Sequence, residues 1–108
     1  MRVLFDQGTP APLRYLLLAH EVETAYERGW SSLRNGELIA AAEAAGFAVF
    51  VTTDRNLKYQ QNLADRSLAI VVLLTTSWPR IKAASASASV VMAVNMSIPG
   101  GYVEVAVP

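Results

Sequence analysis

Three acidic residues stand where chemistry is done in α/β proteins: Asp6 closes the apolar run RVLF, Asp54 closes FAVFVTT, and Glu37 lies in the first turn of GELIAAAEAAG. In open α/β sheets the ligand crevice lies beyond the carboxyl ends of the strands. If the strands before Asp6 and Asp54 are parallel neighbours, both carboxylates face one cleft. Glu37 joins them only if the end of its helix projects over the strand tips. Carboxylates that converge without cations repel one another, and a hard divalent ion such as Mg²⁺ relieves that repulsion. Such an ion polarises a phosphoryl oxygen and acidifies an attacking water, so the implied reaction is phosphodiester hydrolysis. Each residue also has a plainer use. Asp begins turns well, and a first-turn Glu gains about 0.3 to 1 kcal/mol from its helix.

The elements that must position these residues follow from periodicity. RVLF at 2–5 reads as a short buried strand. Thr9-Pro10 opens a helix whose apolar stripe is Leu13, Leu16 and Leu17, with the Thr9 hydroxyl as cap. HEVET at 20–24 alternates as a second strand, whereas 25–33, with Tyr26 and Trp30, fits either a helical turn or a packed loop. Asn35 is the expected N-cap of an alanine-rich helix that Gly46 closes. FAVFVTT at 47–53 and LAIVVLL at 68–74 are continuously apolar, as central strands of a parallel sheet are. A short helix is expected near Tyr59 to Leu63. Ser77-Trp78-Pro79 opens one long final helix with Ile81, Ala84, Ala88, Val91 and Val94 recurring; its ASASAS centre also fits a period of two. After the Pro99-Gly100-Gly101 turn, YVEVAV closes the sheet with Glu104 at an edge. The order implies a single domain over 1–108, an α/β fold with a mainly parallel sheet and helices on both faces.

Composition narrows the function classes. Nine basic residues balance nine acidic ones, so no broad positive field draws nucleic acid and any such contact needs local patches. With no cysteine, disulfides, zinc thiolates and thiol nucleophiles are excluded. No segment is apolar for long enough to span a bilayer, and MRVLFDQG has no signal-peptide pattern, so a soluble cytoplasmic protein is expected. His20, the single histidine, reads as structural, and no serine has a G-x-S-x-G setting. Trp30 and Trp78 read as packing anchors, Gly100-Gly101 precedes a strand and cradles no phosphate, and Gln60-Gln61-Asn62 reads equally as a phosphate-binding cluster or a solvated loop.

The stretches MRVLFDQGTP, NGELIAAAEAAGFAVFVTTDRNLKYQQNL and LAIVVL together resemble a small bacterial PIN-like family of unknown function, similar to the toxin nucleases of toxin-antitoxin pairs. The resemblance runs from Met1 to about Val72, and more loosely to the end. It implies a three-layer α/β/α sandwich in which clustered acids bind Mg²⁺ or Mn²⁺ to cleave RNA. Asp6 then matches the family's first acid, Glu37 the acid near the start of the middle helix, and Asp54 the acid of its T-x-D motif. Relatives commonly continue D-x-D-F, where this chain has DRNL, so Asn56 supplies an amide oxygen in place of a carboxylate. Asn35 stands where many relatives have Asp. The resulting expectation is a metal-dependent ribonuclease with Asp6, Glu37 and Asp54 as catalytic ligands aided by Asn56. Arg34, Asn35, Arg55, Lys58 and Gln61 would contact RNA, and an antitoxin and a second copy of the chain are candidate protein partners. The alternative is a weak or inactive relative that binds RNA or a protein.

Overall fold

The protein is described from a computed structural model that covers residues 1–57 and 66–107. Five strands form one sheet: β1 (Arg2–Phe5), β2 (Glu21–Thr24), β3 (Val49–Thr52), β4 (Ala69–Leu73) and β5 (Tyr102–Val105). They lie in the order β2-β1-β3-β4-β5, and every pairing is parallel. β3 and β4 are buried along their whole length, which is why VFVT and AIVVL carry no polar alternation. Residues of opposite parity feed opposite cores. Val3, Phe5, Val49, Val51, Val71 and Leu73 pack with Leu13, Leu17, Ile81, Val90 and Val94 on one face. Leu4, Phe50, Ile70 and Val72 pack with Leu38, Ile39, Ala42 and Phe47 on the other. The architecture is a three-layer α/β sandwich.

The helices adjust the sequence expectations in instructive ways. The segment after Thr9-Pro10 is a 3-10 helix, Ala11–Leu16, with Leu13 and Leu17 buried and Leu16 turned outward. Thr9 does not cap it. α1 is Asn35–Ala44; its N-cap is Arg34, so Asn35 is the first helical residue and its side chain is released for another contact. At the far end Gly46 adopts φ +86°, the Gly46 and Phe47 amides donate to the Glu43 and Ala42 carbonyls, and a Schellman turn results as anticipated. Residues 25–33 form a packed loop in which half-buried Trp30 meets Phe47 edge-on and the Arg28 guanidinium lies 4.7 Å over Trp30. The short helix expected near Tyr59 falls outside the described residues.

The expected single final helix is two: α2 (Trp78–Ile81) and α3 (Ala84–Asn95), separated by Lys82 and an extended Ala83. Ile81 and Val90 are nine residues apart, which in one straight helix would put them on opposite sides. Both are buried in the same core. The break resets the phase, and the inward residues of α3 become Ala86, Val90 and Val94, with Ala88 exposed. This connection also has a distinctive hand. The β1–β2 and β2–β3 crossovers move in opposite directions across the sheet and lie on opposite faces, so they share a hand. The β4–β5 crossover moves the same way as β2–β3 but covers the other face, giving it the opposite hand to those two.

β4 is anchored at its start by one side chain. Glu43 accepts hydrogen bonds from the Arg66 guanidinium at 2.8 Å, the Ser67 amide at 2.8 Å, the Ser67 hydroxyl at 3.0 Å and the Leu68 amide at 3.3 Å. Burial pushes its carboxyl up, but the Arg66 contact and the three donors from Ser67 and Leu68 outweigh it, and its pKa falls below the ordinary 4.5. A carboxyl depressed by folding adds stability above its unfolded pKa and loses it as pH falls through the folded value. Glu43→Gln should therefore cost about 1 to 3 kcal/mol in urea unfolding at neutral pH. The variant should also lose less stability than the native chain on acidification below pH 4.5.

Candidate functional site at the tips of β1 and β3

Register brings the two aspartates together. Phe5 pairs with Val51, so Asp6, one residue on, comes abreast of Thr52. The Asp6 amide donates to the Val51 carbonyl at 3.1 Å, extending the ladder past the end of β1. The chain leaves β1 toward β2 on one side and later returns to β3 on the other, so the β1/β3 boundary is the point where the winding reverses. Open parallel sheets bind ligands there, outside the carboxyl ends of the strands.

Thr52 links the acids. It is fully buried, its hydroxyl donates to Asp6 Oδ2, and the same oxygen accepts the Asp54 amide at 3.1 Å. The other Asp6 oxygen, Oδ1, accepts the Thr9 amide at 3.0 Å and the Thr9 hydroxyl at 2.7 Å. Thr9, also buried, contacts the Val51 carbonyl at 3.0 Å, so its hydroxyl spans the two strand tips. Between these residues the chain passes so close to β3 that a Cβ on Gly8 would lie 2.5 Å from Thr53 Oγ1. The turn requires glycine for space.

Asp54 is held from two directions. Oδ1 accepts the Asn56 amide at 2.9 Å, an Asx turn that ends the strand, and Oδ2 accepts the Asn35 side-chain amide. The first residue of α1 thus reaches the strand tip. Glu37 is used locally, since its carboxylate accepts the Arg34 amide at 3.2 Å across the helix start. Of the three expected ligands, then, hydrogen bonding ties Asp6 and Asp54 to one buried residue and ties Glu37 to its own helix. Asn35 and Asn56 both contact Asp54, the first through its side chain and the second through its backbone. Arg34 and Arg55, the chain neighbours of Asn35 and Asp54, are exposed, and the Arg55 guanidinium donates to the Leu74 carbonyl just past β4. Lys58 and Gln61 lie outside the described residues.

The carboxylates retain acceptor capacity. Each oxygen takes two hydrogen bonds; among the described residues Asp6 Oδ1 is filled, while Asp6 Oδ2 and both Asp54 oxygens each have one position left. Mg²⁺ is usually held by one or two carboxylates with waters completing an octahedron, and this pair fits that donor set. No group of three His, Cys, Asp or Glu side chains arranged to hold a metal ion occurs among the described residues.

Reading the sequence misses Thr52 and Thr9 as positioning residues. A hydroxyl inside the apolar run FAVFVTT was the available signal, because a buried Thr must find a partner. Comparison of the chain with family models, with curated proteins and with solved structures found no match in any of the three. No helix among the described residues is long and apolar enough to cross a membrane.

Thr52→Val keeps the shape and removes the link, stranding Asp6 Oδ2 and the Asp54 amide. Chemical denaturation should show a loss of about 1 to 3 kcal/mol, and Thr52→Ser should recover most of it.

Proposed function

We propose that the chain is a divalent-cation-dependent ribonuclease of PIN-like type, acting in the cytoplasm, with Asp6 and Asp54 holding Mg²⁺ or Mn²⁺. The observation that carries this reading is the Thr52 hydroxyl at the winding reversal of a parallel sheet, which holds the Asp6 carboxylate and the Asp54 backbone amide, while the Asn35 side chain and the Asn56 amide hold the Asp54 carboxylate. Hydrogen bonds made before any ligand arrives fix their orientation, and preorganised charge is the costly part of such a site. The cation, when bound, supplies charge to a phosphoryl oxygen and acidifies a water. The chain's own residues bind and orient the substrate. Arg34 and Arg55 flank the acids as phosphate contacts, and Arg55 is braced by the Leu74 carbonyl, which reduces the entropy lost on gripping a phosphate. Asn35 and Asn56 hold Asp54 in place.

A second reading is favoured by the engagement of Glu37 with its own helix and by the amide at Asn35. Two carboxylates bind a cation more weakly than three or four. On this reading the chain binds RNA, or a protein such as an antitoxin, with little or no turnover.

Mn²⁺ that binds the folded chain alone must raise its stability by mass action, by about 2.7 kcal/mol at one hundred times Kd, or roughly 10 °C or more in melting temperature for a domain of this size. The shift should vanish in Asp54→Asn, and cleavage of single-stranded or structured RNA should be lost with EDTA and in the same variant. RNA binding without cutting, and melting indifferent to Mn²⁺, would establish the second reading instead.

Asn35→Asp separates the two further. In EDTA it should lower the melting temperature, because a carboxylate replaces the amide donated to Asp54 and like charges then repel. Mn²⁺ should reverse that loss and bind the variant at least tenfold more tightly than the native chain. Equal affinity in a titration followed by melting temperature would place the cation away from Asp54.

A further inference from the structure

The described cations divide into two sets. Arg2 and Arg28 pair with Glu23 at 3.3 and 3.6 Å, Arg14 with Glu27 at 2.8 Å, and Arg66 with Glu43 at 2.8 Å. Among the described residues Arg34, Arg55, Arg80 and Lys82 belong to no ion pair, and all four are exposed. The topology gathers this second set at the carboxyl edge of the sheet. Arg34 immediately precedes α1, whose first residue donates to Asp54. Arg55 follows Asp54 and donates to the Leu74 carbonyl just past β4. Arg80 and Lys82 lie in and just after α2, the single turn that follows β4 and packs on the 3-10 helix after Asp6. Ile81, between them, is buried with Leu13, which leaves its two neighbours outside. α1 covers one face of the sheet and α2 the other, so these cations stand on both sides of the aspartates. Glu37 is the third acid at this edge, and its carboxylate is bonded to the helix start. A formal net charge of zero conceals the arrangement, because ion pairing occupies acids elsewhere in the chain. Cations left unneutralised along one edge form the local patch that a polyanion requires.

We propose that single-stranded RNA crosses this edge from Arg34, over Asp54 and Arg55, to Arg80 and Lys82, and that the two α2 cations form a phosphate subsite on the far side of the acids. The proposal rests on the ribonuclease reading above and extends its substrate contacts beyond Arg34 and Arg55. The polymer is chosen by its flexibility and its regular charge. One strand can meet cations that are spread over all three layers of the sandwich. Asp6 and Asp54 are half-buried between exposed cations, so a phosphate must descend to reach them. A flexible strand can make that descent, whereas a duplex is stiff and holds its phosphates on a regular outer surface. Apart from Lys82 the cations are arginines, whose forked guanidinium suits phosphate. A bare pair of aspartates would repel the descending phosphate. A divalent ion held by them cancels their charge and turns the whole edge positive. RNA and the cation therefore strengthen each other's binding, and linkage makes the effect mutual.

Fluorescence anisotropy with a short, single-stranded 2′-O-methyl phosphorothioate RNA, which resists cleavage, separates binding from turnover. In Mn²⁺ the logarithm of affinity should fall with the logarithm of salt concentration at a slope of about −2 to −3, as expected when three or four cations meet phosphates of a single strand. Arg80→Gln and Lys82→Gln, both at exposed positions, should each reduce that slope by about 0.7 and weaken binding about fivefold near 0.1 M salt. Arg80→Lys keeps the charge and should keep the slope. EDTA should weaken binding to the native chain, and the duplex of the same sequence should bind less tightly. A slope unmoved by both glutamine variants overturns the proposal. If the Mn²⁺ melting shift and its loss in Asp54→Asn persist in that case, the cation site stands and the subsite alone fails. A native chain that binds no RNA also overturns the proposal, as does affinity unchanged by EDTA, or equal affinity for the duplex or for polyglutamate.

Discussion

A hydroxyl sealed from water at the end of β3 must bond to the protein or remain unsatisfied, and Thr52 does so by joining the two strand tips that matter most. Its donated proton fixes Asp6, and its lone pair fixes the backbone of Asp54. Leaving a buried donor or acceptor unpaired costs more than the bond itself contributes. The geometry of the acids is therefore coupled to folding. Thr9 repeats the arrangement from the β1 side, with Asp6 and the Val51 carbonyl both within reach of one oxygen.

The sheet below gives that link its rigidity. β1 and β3 are adjacent, buried and in register, and their side chains alternate between two cores. A one-residue slip between them would move Asp6 away from Thr52 and turn every apolar side chain of a strand to the wrong face, so packing specifies the site as strongly as polar contacts do. α1 contributes through its start, because Asn35 lies within the helix and its side chain is directed to Asp54.

Much of this was legible from residue order. RVLF, FAVFVTT and LAIVVLL are apolar throughout because both faces are covered, and each contains the corresponding strand, with β1 matching to the residue. Glu104 lies on an edge strand, as its charge between valines indicates. The phase of the last helix was not legible, since ASASAS offers small residues on every side; only the joint burial of Ile81 and Val90 reveals the break between them. The cap of α1 was misplaced by one residue because Asn is equally at home as a cap and as a side-chain donor. The adjacency of Asp6 and Asp54 depended on which strands pair, a property of the whole topology. Glu37 illustrates the same limit, because a first-turn glutamate has a partner in its own helix whatever else surrounds it.

All five strands point the same way, and this gives the molecule two unlike poles. At the pole where strands begin, Arg2 clasps Glu23 and the Ala45 carbonyl, and Glu43 gathers the residues that lead into β4. At the pole where strands finish lie Asp6, Asp54 and their supports. A substitution at Glu43 or Arg2 therefore alters durability from the end of the sandwich remote from the acids, whereas one at Thr52 or Thr9 disturbs durability and chemistry together.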